Sequence, residues 1–373
     1  MLPNKSLIKN FGLRAALTVI LIEKLKAMKK GVLMVNLGSP ESTDPKDVKK
    51  YLGEFLMDER VIDVPYLARA LLVKGIVLNT RPKQSAAAYA KVWMDEGSPL
   101  IVISERLQKK VSEKVDVPVV LAMRYGKPNM LSGLKELDEQ GVDEVLILPL
   151  YPQFAMATTE TILVLAEELR KKHFPNMRFS DIPAFYNKPE YIEVLANSIG
   201  EKLKNLDYEH LLFSYHGVPK RHIRKSDVTK SHCKIDGQCC QTPSAAHQFC
   251  YRHQCYDTTR QVGEFLNLKE GTYSTSFQSR LGFDPWLQPY TDRTIERMGK
   301  EGTKKMAIVT PAFVSDCLET LEEIAMEGQE IFHEMGGKDF TVIPCLNDRE
   351  DWVFVVSTWI NDWAIVEASK AIA

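Results

Sequence analysis

Three groups of residues in this sequence have the types and spacing for chemistry. The first is His216, which ends the apolar run "LLFSYHGVP" at 211–219. An imidazole where a buried strand stops can ligate a metal or accept a proton near neutral pH. The plainer use of such a residue is to satisfy a backbone carbonyl. The second group is "SDCLETLEEIAMEGQE" at 315–330, where Glu319, Glu323 and Glu327 recur every four residues. A helix lays them along one face, although like charges at that spacing are mildly destabilising. A solvated surface face explains such a row when it stands alone. A row leading to a histidine is a path for a divalent cation, which oxygen ligands hold weakly and an imidazole takes over. The same carboxylates can carry protons away.

The third group is "HCKIDGQCCQTPSAAHQFCYRHQC" at 232–255, which holds five of the seven cysteines; Cys317 and Cys345 stand apart. An odd count without a secretion signal argues against a disulfide framework and for the reducing cytoplasm. Structural zinc sites use closely spaced cysteine pairs. Cys250 and Cys255 form one such pair, but Cys233, Cys239 and Cys240 are spaced more loosely. Four thiolates from this set can hold an iron–sulfur cluster, with zinc as the alternative. A further feature is apolar: "VPYLARALLVKGIVL" at 64–78 is either a core helix or a lip for a flat, greasy substrate at a membrane surface.

The elements that must position these residues are written twice. Apolar, β-rich runs occupy 31–38, 117–126, 143–152 and 177–185, and again 210–217, 272–282, 304–313 and 339–346, with helical patterns between them. Continuous Val/Ile/Leu runs are what parallel strands covered on both faces look like. "LGSP" at 37–40 parallels "HGVP" at 216–219, and "IPAFYNKPEYIEVL" at 182–195 parallels "IPCLNDREDWVFVV" at 343–356. The repeat of about 170 residues is far longer than a solenoid unit of roughly 20 to 50. The expected fold is therefore α/β, with two similar Rossmann-like domains, each a four-stranded parallel sheet flanked by helices. Boundaries fall at 28–195 and 196–373, the second domain carrying the cysteine-rich segment 232–255. Residues 1–27, basic and partly apolar before Met28, read as an extension without catalytic consequence. In open parallel sheets ligands bind beyond the carboxyl ends of the strands. That brings His216, Tyr125, Tyr151, Arg280 and the stretch after 313 toward one cleft.

Composition excludes several classes. A net charge of −1 over 373 residues gives no footprint for nucleic acid. No run approaches the roughly 20 apolar residues of a spanning helix. Neither a dinucleotide fingerprint nor a phosphate-binding P-loop is present.

The segments "VNLGSPES", "AMRYGKP", "LPLYPQFAMATT", "SYHGVP", "QSRLGFDPWLQPYTD" and "SDCLETLEEI" resemble the ferrochelatase family, in the family's order and over nearly the whole chain from residue 31. The resemblance implies a chelatase-like fold and insertion of ferrous iron into protoporphyrin IX, the terminal step of haem synthesis. It implies that His216 takes pyrrole protons or binds the metal, with Glu319 opposite. Glu323 and Glu327 would continue the acidic path for Fe2+ on a π-helical stretch. Leu37, Ser98, Arg124, Tyr125, Tyr151 and Trp286 match residues lining the porphyrin cleft or holding its propionates. Relatives specific for coproporphyrin carry Tyr at the position of Leu37, so Leu37 favours protoporphyrin. Cys317 stands where many relatives have His, and packing is its expected role. The cysteine segment is similar to an insertion holding a [2Fe–2S] cluster in some bacterial members, with Cys233, Cys240, Cys250 and Cys255 as ligands and Cys239 as the substitute for its neighbour Cys240. The cysteine count points to a cytoplasmic protein, and the apolar lip at 64–78 to contact with the membrane at its inner face. The rival readings are a chelatase for another metal such as cobalt, or for coproporphyrin III, and a non-catalytic haem-binding or cluster-sensing protein.

Overall fold

The computed structural model describes residues 28–282 and 284–370; the extension expected at 1–27 lies outside the described residues. Eight strands form where the apolar runs predict them. In the first half they are β1 (Lys30–Ser39), β2 (Val119–Gly126), β3 (Glu144–Pro149) and β4 (Arg178–Asp181). In the second they are β5 (His210–His216), β6 (Tyr273–Gln278), β7 (Lys305–Val309) and β8 (Asp339–Ile343). The sheets run β2-β1-β3-β4 and β6-β5-β7-β8, parallel throughout, so the same strand order occurs twice. Structural repetition thus matches the written repetition.

Several strands stop short of their apolar runs. β3 ends at Pro149 and β7 at Val309. The following Tyr151, Ala312 and Phe313 are apolar because they wall a cavity, not because they pair in the sheet. Each sheet order changes direction next to its first strand, and such switch points open a crevice at the strand ends. Leu37 and Tyr151 flank the first crevice, and His216 and Phe313 flank the second.

The two halves share one core. Helix Pro189–Leu203 follows β4, yet it packs on helix Tyr251–Phe265 of the second half. Helix Glu350–Lys370 follows β8, yet it packs on helix Pro99–Ser112 of the first half. The closing helices are thus exchanged, and they also pack on each other. Where they meet, the fully buried Trp352 has the rings of Phe185, Tyr191 and Trp359 within 6.0 Å, centroid to centroid. Each such side chain buries about 1.5–3 kcal/mol of apolar surface, and ring pairs add about 0.5–1.5 kcal/mol. Lys30, at the start of β1, donates to the carbonyls of Trp363 and Ala364 near the far end of the chain.

One glycine fixes the end of β1. Gly38 has φ +112°, and a Cβ there would lie 1.8 Å from the Tyr125 carbonyl oxygen of β2. Its neighbour Leu37 is thereby held at the cavity wall. Gly38→Ala must shift backbone on both strands, so a loss of about 3 kcal/mol or more is expected. The urea midpoint should fall with the slope unchanged.

Candidate active site

A single cavity of about 1120 Å³ lies at the carboxyl ends of both sheets, and its wall is mostly apolar. Leu37, Tyr151 and Trp286 line it, and so do His216, Glu319, Glu323 and Glu327. The topology therefore gathers residues almost 300 positions apart (37 to 327) around one space.

His216 is the last residue of β5, and its ring stands edge-on to Phe313, with centroids 6.2 Å apart. Its Nδ1 is 2.7 Å from the Gly217 carbonyl oxygen. A carbonyl only accepts, so the neutral ring carries its proton on Nδ1 and leaves the Nε2 lone pair open. The Tyr251 hydroxyl donates to the His216 carbonyl at 2.8 Å and fixes the strand end. Gly217 must be small: an added Cβ would fall 2.8 Å from the Ser279 carbonyl oxygen and 3.3 Å from the Trp286 ring. The plain use of a strand-end histidine, a bond to a backbone carbonyl, is thus met at Nδ1, and Nε2 stays open.

The carboxylates lie on a π-helix, Glu319–Gly328. Its i→i+5 ring is wider than an α-helical turn, so residues four apart fall closer to one line. β6 anchors this row. Gln278, which pairs in register with His216, donates its amide to the Glu319 carbonyl at 3.1 Å. The Ser279 backbone N–H and hydroxyl both donate to the Glu323 carboxylate, at 2.9 and 2.5 Å. Burial pushes the Glu323 carboxyl up, whereas the Ser279 bonds and the charge of His216 pull it down and Glu319 adds to the push. Burial also raises Glu327, helped by Glu322. Glu322 pairs with Lys91 at 2.5 Å on the same wall. Carboxyls held above their ordinary range pass protons readily near neutral pH.

Gln278 and Ser279 were missed as functional residues in the sequence. Their segment was visible in "QSRLGFDPW", but a side chain that orients a carboxylate has no spacing signature of its own. Cys317 is fully packed, and burial pushes its thiol far up. Asp316 belongs to the scaffold: it accepts from Thr320, Asn347 and the Cys345 N–H.

Three residues predicted for the cleft lie off its wall. Ser98 is buried at the N-terminus of helix Pro99–Ser112. Arg124 and Tyr125 both donate to Asp58, which also accepts from Thr161. Burial pushes the Asp58 carboxyl up, yet these bonds and the Arg60 N–H hold it below the usual range. Arg124 borders a separate, shallower pocket of about 500 Å³ with Asp58 and Thr161.

The cysteine segment folds beside the second sheet. The Cys250 thiol interacts with those of Cys233 and Cys240, and Cys239 bears on both. The bonds of Cys250 lower both Cys233 and Cys240 while its own thiol is pushed far up, and Arg252 donates to the Cys240 sulfur at 3.1 Å. Cys255 differs: it is fully buried in helix Tyr251–Phe265, its thiol against Tyr251, and burial drives it up. Among the described residues, no three His, Cys, Asp or Glu side chains are already arranged to hold an ion.

At residues 66–77, Val73 and Val77 face the core while Leu67, Leu71 and Ile76 are exposed. Leu72 and Val77 also line the cavity. No helix among the described residues is long and apolar enough to cross a membrane.

The family model described as ferrochelatase matches residues 29–363. A ferrochelatase of Pseudomonas fluorescens (strain SBW25) is 46% identical over 329 residues, covering 88% of this chain and 96% of its own. A ferrochelatase of Opitutus terrae is 44% identical over 337 residues, covering 90% and 97%. Among solved structures, SirB from Bacillus subtilis with Fe3+ has a TM-score of 0.50 at 13% identity, covering 90% of this chain and 95% of its own. That likeness concerns the fold alone. With the family match spanning both sheets and relatives identical at almost half of the aligned positions, the chain belongs to the ferrochelatase family.

Proposed function

We propose that this protein inserts ferrous iron into protoporphyrin IX. The observation that carries the reading is the meeting of His216 and the Glu319–Glu323–Glu327 row on one mostly apolar cavity. A free-base porphyrin is flat and holds two inner N–H groups, so the metal must replace two protons. The apolar wall around Leu37, Tyr151 and Trp286 takes the ring, and contacts remote from the centre supply the strain that exposes the nitrogen lone pairs. The open Nε2 of His216 accepts a pyrrole proton, and Glu319 receives the second. Glu327 and Glu323 lead Fe2+ inward and carry protons outward. The balance is one Fe2+ taken up and two protons released, with no net electron transfer. Leu37 at the wall, in place of a tyrosine, favours protoporphyrin over coproporphyrin III. Residues between 37 and 158 and between 216 and 331 supply the two walls, and the expected boundary at 195/196 falls inside helix Pro189–Leu203.

His216→Ala is expected to cut insertion at least about 100-fold while porphyrin still binds. The assay is anaerobic loss of protoporphyrin fluorescence on adding ferrous iron, with binding followed by quenching. Full activity in His216→Ala overturns the proton role. Binding without insertion by the unsubstituted protein favours a carrier.

We also propose that the 232–255 segment holds a [2Fe–2S] cluster. Support comes from the donor chemistry: Cys233 and Cys240 both bond to Cys250, which brings three thiols to one place. The contacts of Cys239 favour it over Cys255 as the fourth ligand. A bound cluster supplies a covalent cross-link between thiolates that are distant in sequence. Cys239→Ala and Cys240→Ala are expected to lack equimolar iron and acid-labile sulfide after anaerobic purification, whereas Cys255→Ala retains both. Loss in Cys255→Ala alone overturns this ligand set.

The exposed Leu67, Leu71 and Ile76 beside the cavity suit shallow contact with a membrane surface, from which an apolar porphyrin enters. Seven free thiols suit the cytoplasmic side.

A further inference from the structure

The cavity mouth next to Trp286 carries an ion network that the chemistry above does not use. Helix Lys220–Lys225 begins four residues after His216, and its Arg221 lines the cavity. The Arg221 Nε donates to Asp63, on the segment that precedes the exposed helix of the first half, and its Nη1 donates to Asp284. The two carboxylates are unlike. The Asp63 side chain is 3% exposed, with the Lys225 Nζ 2.5 Å and the His222 Nε2 3.1 Å from its oxygens. The Asp284 side chain is 47% exposed and lies on the cavity wall.

These differences give the partners different tasks. Asp63 is enclosed by cations, so it steers the guanidinium and cannot neutralise both Arg221 and Lys225. Asp284 can leave for water at little cost, because an exposed ion pair contributes about 0–1 kcal/mol. Geometry ties the same place to the ring site. Pro219 and Trp286 form an antiparallel bridge, flanked by the Lys220 N–H to the Pro285 carbonyl and the Leu287 N–H to the Val218 carbonyl. Arg221, two residues beyond this bridge, and Trp286 therefore line the same cavity. Arg280, another cation on this wall, is already held in a two-point pair with Asp292.

We propose that Arg221 anchors a carboxylate at the edge of the porphyrin, and that Asp284 occupies that position until the substrate displaces it. A guanidinium fork matches a carboxylate in two-point geometry, and Asp63 acts as its positioning residue. This rests on the porphyrin-insertion reading.

The test uses the full chain and two probes, protoporphyrin IX and its dimethyl ester, titrated by fluorescence in the same detergent buffer. Arg221→Ala is expected to weaken the free acid about tenfold and the ester less than about twofold. Asp284→Ala, a change on the exposed rim, is expected to tighten the free acid about threefold and leave the ester unchanged. Equal losses for both probes in Arg221→Ala, or weaker free-acid binding in Asp284→Ala, overturn the anchor while the porphyrin reading stands. If the unsubstituted protein binds neither probe, the porphyrin reading falls and the anchor with it.

Discussion

The packing of the exchanged closing helices around Trp352 is the constraint on which the rest of this structure depends. Each helix belongs by sequence to one sheet and by contact to the other. The two sheets therefore cannot move as independent bodies without opening a core that holds Phe185, Tyr191, Trp352 and Trp359. Protein interiors are packed as densely as organic crystals and transmit strain. The relative position of Leu37 and His216, one on each sheet, is thus set by residues that touch neither.

On that frame the cavity can carry unfavourable groups. Several carboxyls on one face of a π-helix repel each other, and burial of Glu323 disfavours its charged form. The cost is moderated at the end of β6, where Gln278 binds the Glu319 carbonyl and the next residue, Ser279, donates twice to Glu323. A cation arriving along the row relieves the same repulsion. Groups that destabilise the empty protein are the ones a metal would stabilise, which suits a path that must bind iron and then let it go.

His216 shows how one local bond selects a chemical role. The Gly217 carbonyl beside Nδ1 leaves Nε2 as the basic nitrogen. Gly217 itself is needed because β6 and Trp286 pass too close for a side chain. His216, the strand that ends in it and the Trp286 wall of the cavity are therefore one packing unit.

Much of this was legible in the sequence. Unbroken apolar runs announce parallel strands buried on both faces, and the parallel between "LGSP" and "HGVP" announces a repeated strand order. His216 at a strand end and three glutamates four residues apart are patterns of residue type and spacing, and both survive translation into three dimensions. Position along the chain decides these features, because strand direction and helical period are local. The exchange of closing helices, the bonds of Ser279 to Glu323, the pairing of Arg124 and Tyr125 with Asp58 and the full burial of Cys255 against Tyr251 were decided only by the tertiary structure. The first three join partners more than 20 residues apart, and the last is a choice among thiols of equal chemistry. The sequence by itself determined the strands, the repeat and the reactive side chains. Packing determined which of them share a wall, since contact depends on shape and burial that no single segment encodes.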